Sequence, residues 1–287
     1  MKKKNVLLIL AIAFICVSNS FARDYPSGAL LWKVSGNGLE KTSYILGTFH
    51  MKTGEYLAEI PGALDAIDKS EQIVGELDMT DVMKMQQELM PAMMMGADTT
   101  YAILYSEEEY QFVSEKLMSI LGVSLDQMKM LKPAALQTTI VALMFQKLIP
   151  DFDAANALDV AIQQIGQKEG KPIQGLETVQ DQAQVLFNGP SLLRQAESLL
   201  CSLEHLDETI DQAATKLLKD YENADLNSLY FESFREETTP CQSTESEKDD
   251  LLKNRNEKWL KKLPDMMKDK SSFIAVGALH LAGEEGL

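Results

Sequence analysis

Basic residues are in short supply in this chain. Lys and Arg total 27 against 43 Asp and Glu in 287 residues, a formal net charge of −16. Such a surface repels nucleic acid and anionic lipid, so no nucleic-acid partner is expected. Beyond the first 22 residues no apolar stretch is long enough to cross a bilayer, which argues against an integral membrane span. Familiar catalytic signatures are missing as well. There is no Gly-x-Ser-x-Gly elbow. There is no Walker A loop, no dinucleotide fingerprint and no His-Glu-x-x-His helix. No internal repeat of domain size, low-complexity tract or long linker divides the chain. Residues 23–287 therefore read as one domain, with 45% hydrophobic residues to build its core.

The first 22 residues stand apart. Lys2, Lys3 and Lys4 precede an apolar run from Val6 to Val17, and Ser20-Phe21-Ala22 resembles a small-x-small cleavage site. This is the tripartite pattern of a secretory signal peptide. Cleavage removes three lysines and no acid, which takes the net charge from −16 to −19. The expected destination is the periplasm or the exterior. Only Cys201 and Cys241 remain after cleavage, and two cysteines in an exported chain favour a disulfide.

Two of the three histidines share one local frame. Gly47-Thr48-Phe49-His50 follows the apolar run Ser43-Tyr44-Ile45-Leu46, and Gly277-Ala278-Leu279-His280 follows Ser272-Phe273-Ile274-Ala275-Val276. Glycine lets the chain turn sharply where a strand ends. Each His is then presented beyond a strand's carboxyl end, where ligands collect in open α/β sheets. The third, His205, lies in a polar helical stretch and reads as solvated.

Other stretches fit the same plan. Ala29 to Ser35 and Ser43 to Gly47 read as hairpin strands about Gly36-Asn37-Gly38. Gln72 to Asp78 reads as a strand on which Glu76 and Asp78 share a face. Pro172 to Leu176 reads as a short strand ending at Glu177. Ala63 to Ser70, Ala155 to Lys168 and most of residues 80–148 and 178–267 read as helix, with a polar break at residues 238–244. The methionines Met83, Met85, Met90, Met93, Met94 and Met95 are consistent with helix packing or with an adaptable binding surface. Strands joined by long helical crossovers give parallel pairs. The expected fold is α/β: a central mixed, mostly parallel sheet surrounded by many helices, with a helical insertion after the Glu76 strand.

On that plan His50, Glu76 (with Asp78), Glu177 and His280 collect at one sheet edge. Two imidazoles and one to three carboxylates suit a divalent transition metal, and such an ion can acidify water for hydrolysis. Each residue also has a plainer reading. A His after a strand can be a hydrogen-bonded structural residue. Asp78 and Glu177 can cap the helices that follow them. Arg255 and Asn256 fall in a charged helix that reads as a solvated face, although Arg can also hold a carboxylate or polarise a carbonyl. Glu76 sits within an apolar run, where an ionised carboxylate is costly unless it is paired.

Several stretches in order along the chain resemble the TraB/GumN family, whose animal relatives are the Tiki metalloproteases. They are Leu31-Trp32-Lys33-Val34, Tyr44 to His50, Gly75-Glu76-Leu77-Asp78, Leu158-Asp159, Gly175-Leu176-Glu177-Thr178, Arg255-Asn256 and Val276 to Leu281. The resemblance implies a metal-dependent peptidase or other hydrolase acting on a peptide or protein. It implies that the two histidines and the acid of the site are His50, His280 and Glu76. Taken with the residues themselves, His50 and His280 are expected to bind the metal, Glu76 to be a further ligand or the general base, and Arg255 to assist the substrate, with Asp78, Glu177 and Asn256 as additional candidates. The ion would be Zn, Mn or Co. Because related folds include erythromycin esterases and haem-binding lipoproteins, a non-catalytic protein that binds peptide or haem in the same cleft is the alternative. Family members usually continue past the second Gly-x-x-His into a helix and a strand, so an end at Leu287 reads as a shortened C-terminus. Mass spectrometry of protein from its native host is expected to find an N-terminus at Arg23; a soluble cytosolic protein that retains Met1 would overturn the signal peptide.

Overall fold

The computed structural model describes residues 28–150, 152–234, 241 and 243–287. The signal-peptide reading and most of the polar break at 238–244 lie outside these residues. A single five-stranded sheet runs through the protein in the order β1-β2-β5-β3-β4. Strands β1 (Leu31–Gly36) and β2 (Leu39–Thr48) form an antiparallel hairpin. Its turn places Gly36, Asn37 and Gly38 at φ of 88°, 49° and 84°, a left-handed run that glycine and asparagine tolerate best. The remaining pairs are parallel: β2 with β5 (Ser272–Gly277), β5 with β3 (Gln72–Gly75), and β3 with β4 (Ile173–Gly175). The sheet is mixed and mostly parallel, as the strand and helix pattern predicts.

Long helical crossovers make these parallel pairs. Helix α1 (Ala63–Lys69) links β2 to β3. Between β3 and β4 run α2 (Val82–Met93), α3 (Tyr101–Leu104), α4 (Glu107–Leu121), α5 (Pro133–Leu148) and α6 (Leu158–Lys168). Between β4 and β5 run α7 (Val179–Ala183), α8 (Leu192–Glu204), α9 (Leu206–Glu222), α10 (Leu226–Phe234), α11 (Glu245–Leu251) and α12 (Lys253–Asp269). Their starts follow sequence chemistry. Ser106, Thr178 and Thr244 each close a full capping box with an acid three residues on. Pro133 sits in the first turn of α5, where its missing N–H costs nothing.

Both faces of the sheet are buried. Alternate β5 residues serve opposite sides: Phe273 and Ala275 join Leu46, Ile73, Leu158 and Ile162, while Ile274 and Val276 join Val74, Leu176, Trp259 and Leu263. Near-continuous apolar strands are what a two-sided parallel sheet requires. Each fully buried Ile or Val adds about 1.5–3 kcal/mol. A separate cluster from α3, α4, α5 and α8 contains Tyr101, Val113, Leu117, Leu136, Ile140 and Leu199. The methionine-rich α2 contributes no fully buried residue, and Met83 and Met90 are exposed. Cys201 on α8 is bonded to Cys241, with Cα atoms 5.6 Å apart across a separation of 40 residues. Among the described residues, no helix is long and apolar enough to cross a membrane.

Strand β3 ends at Gly75, not Asp78, so Glu76 and Asp78 do not share a strand face. The Gln163 side chain bends the chain off the strand: its Nε2 donates to the Leu77 carbonyl at 2.8 Å, and its Oε1 accepts from the Met79 N–H at 2.8 Å. Asp78 is exposed and accepts from the Thr80 N–H at 2.9 Å. The backbones leaving β3 and β4 cross closely here. A Cβ at Gly175 would lie 2.9 Å from Asp78 N and 3.0 Å from Glu177 O, both main-chain atoms with nowhere to go. Gly175→Ala is expected to lower stability by about 1–3 kcal/mol, the usual cost of overpacking, as read from the midpoint of urea unfolding. An unchanged midpoint would show that the two loops can separate freely.

Candidate functional site

The register of the parallel strands brings the polar groups together. Gly47 lies opposite Val276, Gly75 opposite Ala275, and Gly75 opposite Gly175. The carboxyl ends of β2, β5, β3 and β4 are therefore nearly level. His50, His280, Glu76 and Glu177 all follow within a few residues of those ends. A cavity of about 550 Å³ opens there, with His50, Glu76, Asp159, Arg255 and His280 on its wall.

His50 stands at the mouth, its side chain 67% exposed. Its Nδ1 lies 2.8 Å from Asp159 Oδ2, and the Thr48 hydroxyl donates to the other oxygen of that carboxylate. Asp159 occupies the first turn of α6, where the macrodipole favours an anion. Burial works to raise the Asp159 pKa, but the His50 charge and the hydrogen bonds from His50 and Thr48 outweigh it and hold the pKa low. In return the Asp159 carboxylate raises His50 from its ordinary 6.5 to about 9. Exposure to water trims the size of that shift without changing its direction.

His280 is the chemical opposite. It is 3% exposed, with its ring 4.4 Å from that of Trp259. Asn256 fixes its tautomer. The Asn256 Nδ2 donates to the carbonyls of His280 at 3.1 Å and Glu285 at 2.7 Å, so its Oδ1 must be the acceptor facing His280 Nδ1 at 2.7 Å. The Nδ1 therefore carries the hydrogen, and Nε2 presents a lone pair, which lies 3.0 Å from Arg255 Nη1. Burial lowers the His280 pKa to about 4. Arg255 and His50 push the same way, and Glu76 opposes them.

Arg255 ties the site together. Its Nε and Nη2 donate to the two oxygens of Glu177 at 3.0 and 2.6 Å, a bidentate clasp. The Nη2 also donates to Glu76 Oε2 at 2.5 Å, and Nη1 donates to the Leu251 carbonyl at 3.1 Å. The guanidinium rests 4.8 Å from the Trp259 ring. Glu76 Oε1 accepts from the Gly277 N–H at 2.8 Å and lies 3.7 Å from His280 Nε2. Burial tends to raise the Glu76 pKa, but Arg255, His280, His50 and the Gly277 N–H outweigh it, so the group is held ionised. With Arg255 set against Glu76 and Glu177, and protonated His50 against Asp159, the cluster carries one net negative charge.

Of the sequence-predicted residues, His50, Glu76, Arg255 and His280 line the cavity, while Glu177 and Asn256 support them through Arg255 and His280. Asp78 does not take part. The solvated-face reading of Arg255 and Asn256 is overturned, since they are 8% and 2% exposed. Glu177 does not cap α7; Thr178 does, through its bond to the Asp181 N–H. Asp159 is the important residue not singled out as a site residue from the sequence, because an acid in a helix's first turn has a sufficient explanation in the helix itself. Elsewhere, Cys201, Glu204 and His205 offer ligand atoms within 4.8 Å of one another, but the Cys201 sulfur is committed to Cys241.

Fold and site together define an α/β protein whose cavity is built from two strand-end histidines, two carboxylates and a buried arginine. The profile of the TraB/PrgY/gumN family matches residues 30–287, and the chain belongs to that family. No curated protein and no solved structure matches it.

NMR titration of the metal-free protein is expected to separate the two histidines. His50 should keep its charge at pH 7 and lose it towards pH 9, and His280 should stay neutral down to about pH 4. Asp159→Asn should return His50 towards 6.5. The effects on stability have opposite signs. The His50 contribution is full below its ordinary 6.5 and is lost as pH rises to about 9. The His280 contribution is full above 6.5 and is lost as pH falls towards 4. Two histidines titrating together near 6.5 would overturn this electrostatic account.

Proposed function

We propose that this is an exported metal-dependent hydrolase acting on peptides. His50, Glu76 and His280 would hold one divalent ion, Zn, Mn or Co, with Arg255 beside the substrate. The observation that carries this reading is the orientation of the two imidazoles. Each has its Nδ1 tied to an oxygen, of Asp159 or of Asn256, which leaves Nε2 as the nitrogen for a ligand. Metal-holding histidines are commonly oriented in this way by an outer acceptor.

The donor set fits a divalent ion. Glu76 Oε1 and His280 Nε2 are 3.7 Å apart, and His50 would offer its Nε2 lone pair once binding releases its proton, which leaves the cluster two net negative charges to face the cation. The ligand atoms of His50, Glu76 and His280 do not all lie within 4.8 Å of one another, so the set must tighten to share one ion. Arg255 would give up its bond to His280 Nε2 and remain clasped by Glu177. When bound, the ion supplies Lewis acidity and a lowered water pKa. The chain supplies the rest. Glu76 can accept a proton at the centre of the site, and Asp159 holds the His50 ring in place. The Arg255 guanidinium can stabilise negative charge developing on a carbonyl oxygen. The disulfide and the N-terminal 22 residues support export.

The same cavity also suits the alternative of a non-catalytic peptide- or haem-binding protein, because much of its wall is apolar. Metal analysis and peptide turnover decide between them. His50→Ala and His280→Ala are each expected to lose bound metal and activity together while the fold is retained. Asp159→Asn should weaken metal binding by about 10–100-fold, the usual effect of an outer-shell change. Glu76→Gln separates two roles: a proton-accepting Glu76 leaves metal bound and stops turnover, whereas a ligand Glu76 loses both. No bound metal and no turnover in intact protein supplied with each ion would leave the binding-protein reading.

A further inference from the structure

The cavity wall has a sharp division. Among the described residues, every charged side chain lining it belongs to the cluster of His50, Glu76, Asp159, Arg255 and His280. The other large side chains are mostly apolar and come from several separate elements: Val141 and Phe145 of α5, Leu217 of α9, Phe234 of α10, and Leu186 of the short π-helix Gln184–Asn188. In a chain that is 24% charged, an uncharged wall assembled from so many elements is a property of the site. Val141 and Leu186 are also 40% and 39% exposed, so the apolar lining continues out to the surface.

We propose that the cavity selects a peptide bond flanked by bulky apolar side chains, with Phe145 and Leu186 among the residues that set this specificity. This rests on the peptidase reading of the same site. The physical basis is asymmetric. An apolar side chain gains by leaving water for such a wall. A charged one loses hydration and finds no partner outside the cluster. An acidic side chain beside the bond would also compete for Arg255, which Glu76 and Glu177 already occupy. A volume of about 550 Å³ accommodates a few side chains with their backbone, not a folded domain. The substrate is therefore an extended segment or a chain end.

The test uses the metal-free protein, so it does not depend on turnover. Capped hexapeptides with central Leu-Phe, Ser-Ser or Asp-Asp pairs are titrated by calorimetry. The Leu-Phe peptide is expected to bind at least about tenfold more tightly than Ser-Ser, in line with what apolar pockets discriminate, and with a negative heat-capacity change. The Asp-Asp peptide should show no binding. Val141→Asp and Leu186→Asp lie at half-exposed positions that tolerate charge, and each should remove most of the Leu-Phe preference without unfolding the protein. Equal affinities, preference for Asp-Asp, or no binding of any peptide would overturn the proposal. Tighter binding of a fatty-acyl amide than of the Leu-Phe peptide would also overturn it. Binding with the expected preference but no cleavage in the metal-loaded protein would leave this inference standing and remove the peptidase reading. Cleavage without side-chain preference would do the reverse.

Discussion

One buried guanidinium holds the functional end of the sheet together. Arg255 reaches from α12 to carboxylates that leave β3 and β4, and to the imidazole that follows β5. Removing one partner from a buried ion pair typically costs about 3–5 kcal/mol, because it strands the other charge. Here the stranded charges would be two carboxylates facing each other without a counter-ion. The arrangement of the site is thus coupled to the stability of the strand ends that carry it. Trp259 covers this network from the same helix and packs against both Arg255 and His280.

Above the sheet edge, the helices complete a cavity that the strands alone could not enclose. Helix α8 is bonded through Cys201 to Cys241, which precedes α11, and is tied to α11 itself by the pairing of Arg194 with both oxygens of Glu247. Helix α11 brings Leu251 to the cavity and leads through Leu252 into α12. Leu251 and Leu252 of the wall and the arginine are thereby parts of one continuous segment. The separate cluster packed by α3, α4, α5 and α8 anchors α8, to which that segment is tied.

Much of this was legible in the sequence because it obeys local rules. Strand-to-glycine-to-histidine runs, capping residues and a disulfide-favouring pair of cysteines all leave marks within a few positions. The parallel order of the strands followed from the long helical stretches between them, which in turn brought His50, Glu76, Glu177 and His280 to one edge. The rest was non-local. Arg255 and Asn256 entered as site candidates, but their burial was not legible: they look like ordinary members of a charged helix until the sheet is placed beneath them. Asp159 looks like a helix-start acid until Thr48 and His50 are brought 111 and 109 positions back to it. The end of β3 at Gly75 depended on the Gln163 amide, distant in sequence, which pulls the chain aside. Burial of polar groups is decided by what folds over them, and a local window does not contain that information.

The two Gly-x-x-His turns are alike in sequence and stand side by side, offset by one residue, yet one ends in an open, charged imidazole and the other in a sealed, neutral one. The repetition is one of shape and not of chemistry. A molecule lying across the cavity therefore meets a wet edge that exchanges protons with bulk water, and a dry edge whose hydrogens are fixed by Asn256. Its two ends are not interchangeable, and the site has a built-in direction even though the sequence motif that makes it has none.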